Sequence, residues 1–181
     1  MARLFIDTEF NGFGGQLMSM ALVSDDGREW YQVLPEPSVF DKWVFENVFP
    51  ILNKAPMSRR EFQLSLKIFL EQFDKPTIYA DWYTDLAHFF NAMAGDNHGT
   101  SFSLPCSAVL LKDVPDLQPE LPHNALSDAR ALRDWYVDAS RCPHCAGTGW
   151  VDDENWSWDY PDLPQERLPG NGKIRCMGCD A

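Results

Sequence analysis

The sequence predicts an α/β domain built on a mixed sheet with helices on its faces, followed by a small C-terminal metal-binding tail. Three strand-like stretches precede the first helical pattern, and helices and short strands then alternate to about residue 140. Four of the five cysteines gather into two Cys-x-x-Cys pairs near the C-terminus. A chain of 181 residues, 45% hydrophobic and 13% aromatic, can bury one sizeable core and carry a modest appendage. The expected division is therefore 1–140 and 141–181.

Leu4 to Phe10 is rich in β-formers and reads as the first strand. Asn11 to Gly15 is turn material; Leu17 to Val23 is a second apolar stretch, Ser24-Asp25-Asp26-Gly27 a tight turn, and Glu29 to Leu34 a third, alternating strand. Together they form a meander. Pro35 to Ser38 breaks it, and apolar residues at helical spacing predict helices over 41–52 and 58–73, the second opened by Ser58 and Glu61 as a capping box. A short strand over 76–81 leads directly into a helix from about Tyr83 to Ala94. Phe102 to Lys112 holds a further strand interrupted by Pro105; the three prolines of 113–122 exclude regular helix there. Asn124 or Ser127 then caps a helix reaching about Ala139.

A formal charge of −12 argues against a long basic groove for nucleic acid, because phosphate neutralisation needs clustered Lys and Arg. A nuclease that grips a few terminal nucleotides through bound metals stays compatible with it. The first strand begins almost at Met1 with no leader pattern, and no apolar run is long enough to cross a bilayer. The expectation is a cytoplasmic protein without a membrane partner, in which paired cysteines bind metal rather than form disulfides.

Chemistry enters with the acids. Strand alternation puts Phe5, Asp7 and Glu9 on one face, so two like charges stand side by side, a pairing that a fold keeps with a compensating cation such as a hard divalent metal. Alone, Asp-x-Glu also fits a solvated strand end. On the helix from Tyr83, Asp85 borders the stripe of Leu86, Phe89 and Met93 and points toward the sheet; Asp81, before the helix, is the weaker candidate. Asp85 equally suits a helix-start acid favoured by the macrodipole. On the last helix Asp128 lies beside the face of Ala125, Ala129 and Leu132, and His123 stands at its entrance, where it fits a general base or an ordinary surface histidine. Four carboxylates and a titratable base in this order are worth more than any one of them.

These residues resemble the DEDDh 3′-to-5′ exonucleases of the ribonuclease H-like superfamily. The resemblance rests on Asp7-Thr8-Glu9, on the segment Tyr79 to Asp85, and on His123-Asn124-Ala125-Leu126-Ser127-Asp128-Ala129-Arg130, and it covers about residues 1–140, looking closest to small stand-alone bacterial exoribonucleases. It implies a ribonuclease H-like fold in which Asp7, Glu9, Asp85 and Asp128 hold two Mg²⁺ or Mn²⁺ ions and His123 is the general base. It also implies that Phe10 and Asn11 meet the terminal nucleotide, although a core role for Phe10 fits equally. The substrate implied is a single-stranded 3′ end, RNA favoured over DNA, and the product a nucleoside 5′-monophosphate. Relatives are often dimers, which brings a homodimer into view. Many members carry Asn shortly before the second-motif Asp, where this chain has Asp81.

In the tail, Cys142-Pro-His-Cys145 and Cys176-Met-Gly-Cys179 are separated by 30 residues, and the paired knuckles predict one structural, tetrahedral Zn²⁺. Filled by four sulfurs, such a site keeps no open position for catalysis. Between the knuckles lies an aromatic and acidic stretch, Trp150 to Pro161, suited to packing or to a protein partner. The rival reading is a catalytically silent nuclease-like scaffold whose zinc tail binds a protein or nucleic acid. An adaptor has no need for all four acids together with His123.

Overall fold

The computed structural model of the chain describes residues 2–95, 101–139, 150–152 and 173–175. They cluster into two compact units, Met1–Trp135 and Tyr136–Ala181. The first is organised on a five-stranded mixed sheet of strands β1 (Arg3–Phe10), β2 (Leu17–Ser24), β3 (Glu29–Val33), β4 (Thr77–Ala80) and β5 (Ser107–Leu110) in the order β3-β2-β1-β4-β5. β1, β2 and β3 form an antiparallel meander, and β4 and β5 extend it in parallel with β1. Four helices accompany the sheet among the described residues: α1 (Lys42–Asn47), α2 (Arg59–Leu70), α3 (Tyr83–Ala94) and α4 (Ala125–Ala139). This arrangement is consistent with the ribonuclease H-like fold expected from the sequence.

Every residue of β2 is buried, because the sheet is covered on both faces. On one face Leu4, Ile6, Met20 and Leu22 pack with Phe62 and Leu66 of α2 and Phe89 of α3. On the other, Ala21, Val23, Tyr31 and Val33 pack with Val44 of α1 and Ala125 and Ala129 of α4. A strand sandwiched in this way needs apolar residues on both sides, which explains why Leu17 to Val23 reads as an unbroken hydrophobic run. The α4 face also holds an apolar cavity of about 140 Å³ near Phe49 and Leu52.

Most element boundaries follow the sequence, and the departures have local causes. The helix expected over 41–52 stops at Asn47 and resumes as one 3₁₀ turn, Phe49–Ile51, because Pro50 has no N–H to continue the helical ladder. The strand expected over 102–112 is confined to Ser107–Leu110, beyond Pro105. α2 carries the capping box foreseen for it, with the Ser58 hydroxyl accepting from the Glu61 N–H and the Glu61 carboxylate accepting from the Ser58 N–H. At Gly15 a Cβ would lie 1.9 Å from the Asn11 carbonyl oxygen, so the β1–β2 turn requires glycine there.

The entrance to α4 is held from inside the molecule. Asn124 Oδ1 accepts from the Ser127 N–H as the helix cap, while its Nδ2 donates to the Ile51 carbonyl (2.8 Å) and toward the Tyr31 hydroxyl (3.4 Å). Tyr31 in turn donates to the Leu52 carbonyl at 2.7 Å. Outside, Arg130 makes a bidentate pair with Glu29 of β3, at 2.7 and 2.6 Å. The last is solvent-exposed and contributes little to stability; its value is angular, fixing how α4 lies against the sheet.

In the second unit β6 (Trp150–Asp152) and β7 (Lys173–Arg175) pair antiparallel, Trp150 opposite Arg175. Cys142, Cys145, Cys176 and Cys179 lie outside the described residues. Cys106 is a half-buried thiol without a disulfide, as its place beside the core suggests. Among the described residues no helix is long and apolar enough to cross a membrane.

The buried Asn124 network makes a direct stability prediction. Asn124→Ala removes the α4 cap and leaves the Ile51 carbonyl without its donor, and should lower the unfolding free energy by about 2 kcal/mol. Urea denaturation checks it; a loss of a few tenths would mean that water replaces the side chain.

Candidate active site

The site forms where β1 outruns its parallel neighbour. The β1–β4 register pairs Leu4 with Ile78 and Phe5 with Tyr79, and pairing stops there. Asp7 and Glu9 lie on the stretch of β1 beyond it, at the carboxyl end of the parallel strands, where open α/β sheets leave a crevice. A register shift between Glu9 and Phe10 against β2 lets the strand end bend locally. α3 enters from the β4 side bearing Asp85, and α4 enters from the opposite face of the sheet bearing Asp128.

The acids that were far apart in sequence converge. Carboxylate oxygens of Asp7, Glu9 and Asp128 lie within 4.8 Å of one another, and so do those of Asp7, Asp81 and Asp85. Asp7 belongs to both groups. Asp81, ranked behind Asp85 from the sequence, thus stands beside it, and the structure brings together five acids where four were named.

Electrostatics makes this an expensive cluster. Asp7 is held well above the usual carboxylate range, first by burial and then by the charges of Asp85, Glu9, Asp128 and Asp81. Glu9 is pushed up to about 8 by burial, then by Asp128 and Asp85. Asp85, 2% exposed, rises to about 7 through burial, even though the Thr8 hydroxyl donates to its Oδ1 at 2.6 Å and favours the ionised form. Asp128 rises to about 6, again chiefly through burial, opposed by the backbone N–H groups of His123 and Asn124. Asp81 is raised by burial as well. Asp7 Oδ2 is buried with no hydrogen-bond partner. An acceptor oxygen in that state, inside a ring of other hard oxygen donors, fits a divalent cation.

A cavity of about 890 Å³ opens over the cluster. Its lining includes all five acids, Phe10, His123, Trp82 and the wall Pro115 to Pro119. His123 is exposed at the rim, with a left-handed backbone (φ 64°), and its ring meets the edge of Trp43 from α1 at a centroid distance of 5.1 Å. Phe10 lies half-buried against the His88 ring, 5.2 Å between centroids. The Asn11 side chain is engaged locally: its Nδ2 donates to the Val39 carbonyl and its Oδ1 accepts from the Asp41 N–H, so both polar atoms tie the β1–β2 turn to the start of α1. It is not among the lining residues.

Sequence reasoning passed over Thr8, Trp82 and the 115–119 wall. Thr8 was legible in principle, since strand alternation turns it toward the face on which the Asp85 helix packs. The wall was recognisable only as non-helical.

Because these acids hold protons longer in the folded chain than in the unfolded one, they contribute to the metal-free protein a stability that is fully present below about pH 4 and is lost as pH rises through their folded values of about 6 to 8. Asp7→Asn removes the charge common to both groups. In EDTA at pH 8 it should raise the melting temperature by roughly 2–4 °C, equivalent to about 1 kcal/mol for a chain of this size, and should flatten the pH slope. Differential scanning fluorimetry from pH 5 to 9 reads both; a lower melting temperature for the variant would show that Asp7 is satisfied some other way.

No family model matches the chain. Two curated proteins of Mycobacterium tuberculosis, from strains CDC 1551 / Oshkosh and H37Rv and each named a 3′-5′ exoribonuclease, are 38% identical to it over 76 residues. The alignment covers 38% of this chain and 45% of each relative, so the chain spans less than half the length of the curated relatives it matches. Over that stretch it is similar to proteins named for exoribonuclease activity.

Proposed function

We propose that the chain is a metal-dependent 3′-to-5′ exonuclease that removes nucleoside 5′-monophosphates from single-stranded ends, RNA in preference to DNA. The observation that carries this reading is the pair of carboxylate groups sharing Asp7, with His123 lining the same cavity. The names of the two mycobacterial relatives support the class of reaction and its polarity. The DEDDh pattern of Asp7, Glu9, Asp85, Asp128 and His123 supports the detail.

On this reading Asp7, Asp81 and Asp85 hold one divalent cation, and Asp7, Glu9 and Asp128 the other, as Mg²⁺ or Mn²⁺. Such ions, when bound, acidify water and neutralise charge on the leaving oxygen. The protein's own share is positional. Thr8 anchors Asp85 by one oxygen, the Asn124 cap fixes the turn of α4 on which Asp128 sits, and the Trp43 ring packs near-perpendicular to that of His123. His123 accepts a proton from the attacking water at a ring nitrogen. The water oxygen bonds to phosphorus as the P–O3′ bond breaks and O3′ takes a proton from solvent, releasing the 5′-monophosphate and a chain one nucleotide shorter with a free 3′ hydroxyl. Phe10 lines the cavity beside the acids, which supports a stacking role against the terminal base.

The tail is read as a structural zinc site of Cys142, Cys145, Cys176 and Cys179. The pairing of Trp150 with Arg175, the residue just before Cys176, supports it, because it holds the approach to the second knuckle close in the chain to the first.

Incubating the protein with 5′-labelled RNA and DNA oligomers in Mn²⁺ should give a ladder shortening from the 3′ end, faster on RNA, and EDTA should abolish it. His123→Ala should lower kcat by about 10²- to 10⁴-fold. Asp85→Asn should remove activity and weaken Mn²⁺ binding by calorimetry. Oligomers that never shorten, or a His123→Ala rate equal to wild type, would end the proposal.

A further inference from the structure

The cavity over the acids has a property that the two-cation reading leaves unexplained: among its described lining residues there is no Lys or Arg. A formal charge of −12 on the whole chain likewise argues against a strand held mainly by phosphate neutralisation from basic side chains. Cations bound by the acids would hold the scissile phosphate alone, so the rest of the strand needs another grip.

Trp82 lines that cavity, between Asp81 and the start of α3, and keeps 46% of its surface exposed. Tyr83, 61% exposed, stacks on it with ring centroids 5.4 Å apart and planes 27° from parallel. Leaving two large aromatic rings in water has a hydrophobic cost that packing them inward would have avoided. The position adds to the anomaly. Trp82 is the N-cap of α3, where Ser, Thr, Asp or Asn would bond a free helix N–H, and it makes no side-chain cap bond. A local rule broken on both counts, at the edge of the reaction cavity, calls for a functional gain.

We infer that Trp82, backed by Tyr83, is the stacking platform for a nucleobase adjoining the scissile phosphate, and that it supplies affinity the cavity cannot draw from basic side chains. The inference rests on the exonuclease reading and names how that site holds its strand. Every base offers a π-face, so the platform grips single strands without sequence preference and rejects paired ends, whose bases are already stacked. Trp82 is here a substrate-positioning residue with no part in bond making.

The test is built on Trp82→Ser, since serine is a better helix cap and any loss cannot be blamed on fraying of α3. Steady-state hydrolysis in Mn²⁺ is measured for wild type and variant on a short RNA oligomer and on versions with an abasic residue at the 3′-terminal or the penultimate position. The variant should lose about tenfold or more in kcat/KM on the intact oligomer, mostly in KM, keep its melting temperature within a few degrees, and show a much smaller penalty on one of the two abasic oligomers. Trp82→Phe should restore most of the loss. If the variant matches wild type on the intact oligomer, or its penalty is equal on all three substrates, the platform is wrong while the exonuclease stands. If wild type shortens none of them, the exonuclease reading falls and takes the platform with it.

Discussion

Mutual repulsion among carboxylates crowded into one crevice is the constraint to which the rest of this fold answers. Asp7, Glu9, Asp81, Asp85 and Asp128 come from one strand, one strand end and two helices on opposite faces of the sheet, and no described Lys or Arg lies among them in the cavity. Left alone, such a set would drive its elements apart or stay protonated. The scaffold therefore has to hold the acids from behind. Two packed faces around a fully buried β2 supply rigidity, and polar ties set the angles: Thr8 to Asp85 on the α3 face, Asn124 to the Ile51 carbonyl beneath α4, and Arg130 to Glu29 outside it.

These ties show a division of labour between neighbouring residues. In Asp7-Thr8-Glu9 the alternation of the strand sends two acids to the side of α4 and gives the intervening hydroxyl to the acid of α3. In His123-Asn124-Ala125 the three residues face the cavity, the protein interior and the hydrophobic core respectively. Sequence neighbours thus belong to different layers, which is how three short motifs can define a site without a long binding surface.

Much of this was legible from residue patterns. Strand alternation placed Asp7 and Glu9 together, and helical phase brought Asp85 to the buried edge of its helix, where it is 2% exposed. The same phase argument set Asp81 too far from the stripe. Asp81 lies in the bend before the helix, where a 100° step does not apply, and its carboxylate comes beside those of Asp7 and Asp85. Asn11 was read through the family pattern as a substrate contact; its hydrogen bonds to Val39 and Asp41 depend on a loop approach that no periodicity encodes. Trp82 and the 115–119 wall belong to the same category, since which irregular segments border a cavity is decided by tertiary closure.

The left-handed backbone at His123 narrows what that position can ever become. For most side chains φ near +64° costs about 1 kcal/mol or more, and branched ones clash outright. Glycine, asparagine and aspartate adopt it most readily, yet none of them carries a group that titrates near neutral pH by default. Histidine is among the few other residues that this backbone favours, so drift at the cavity rim is channelled: the readiest replacements discard the imidazole.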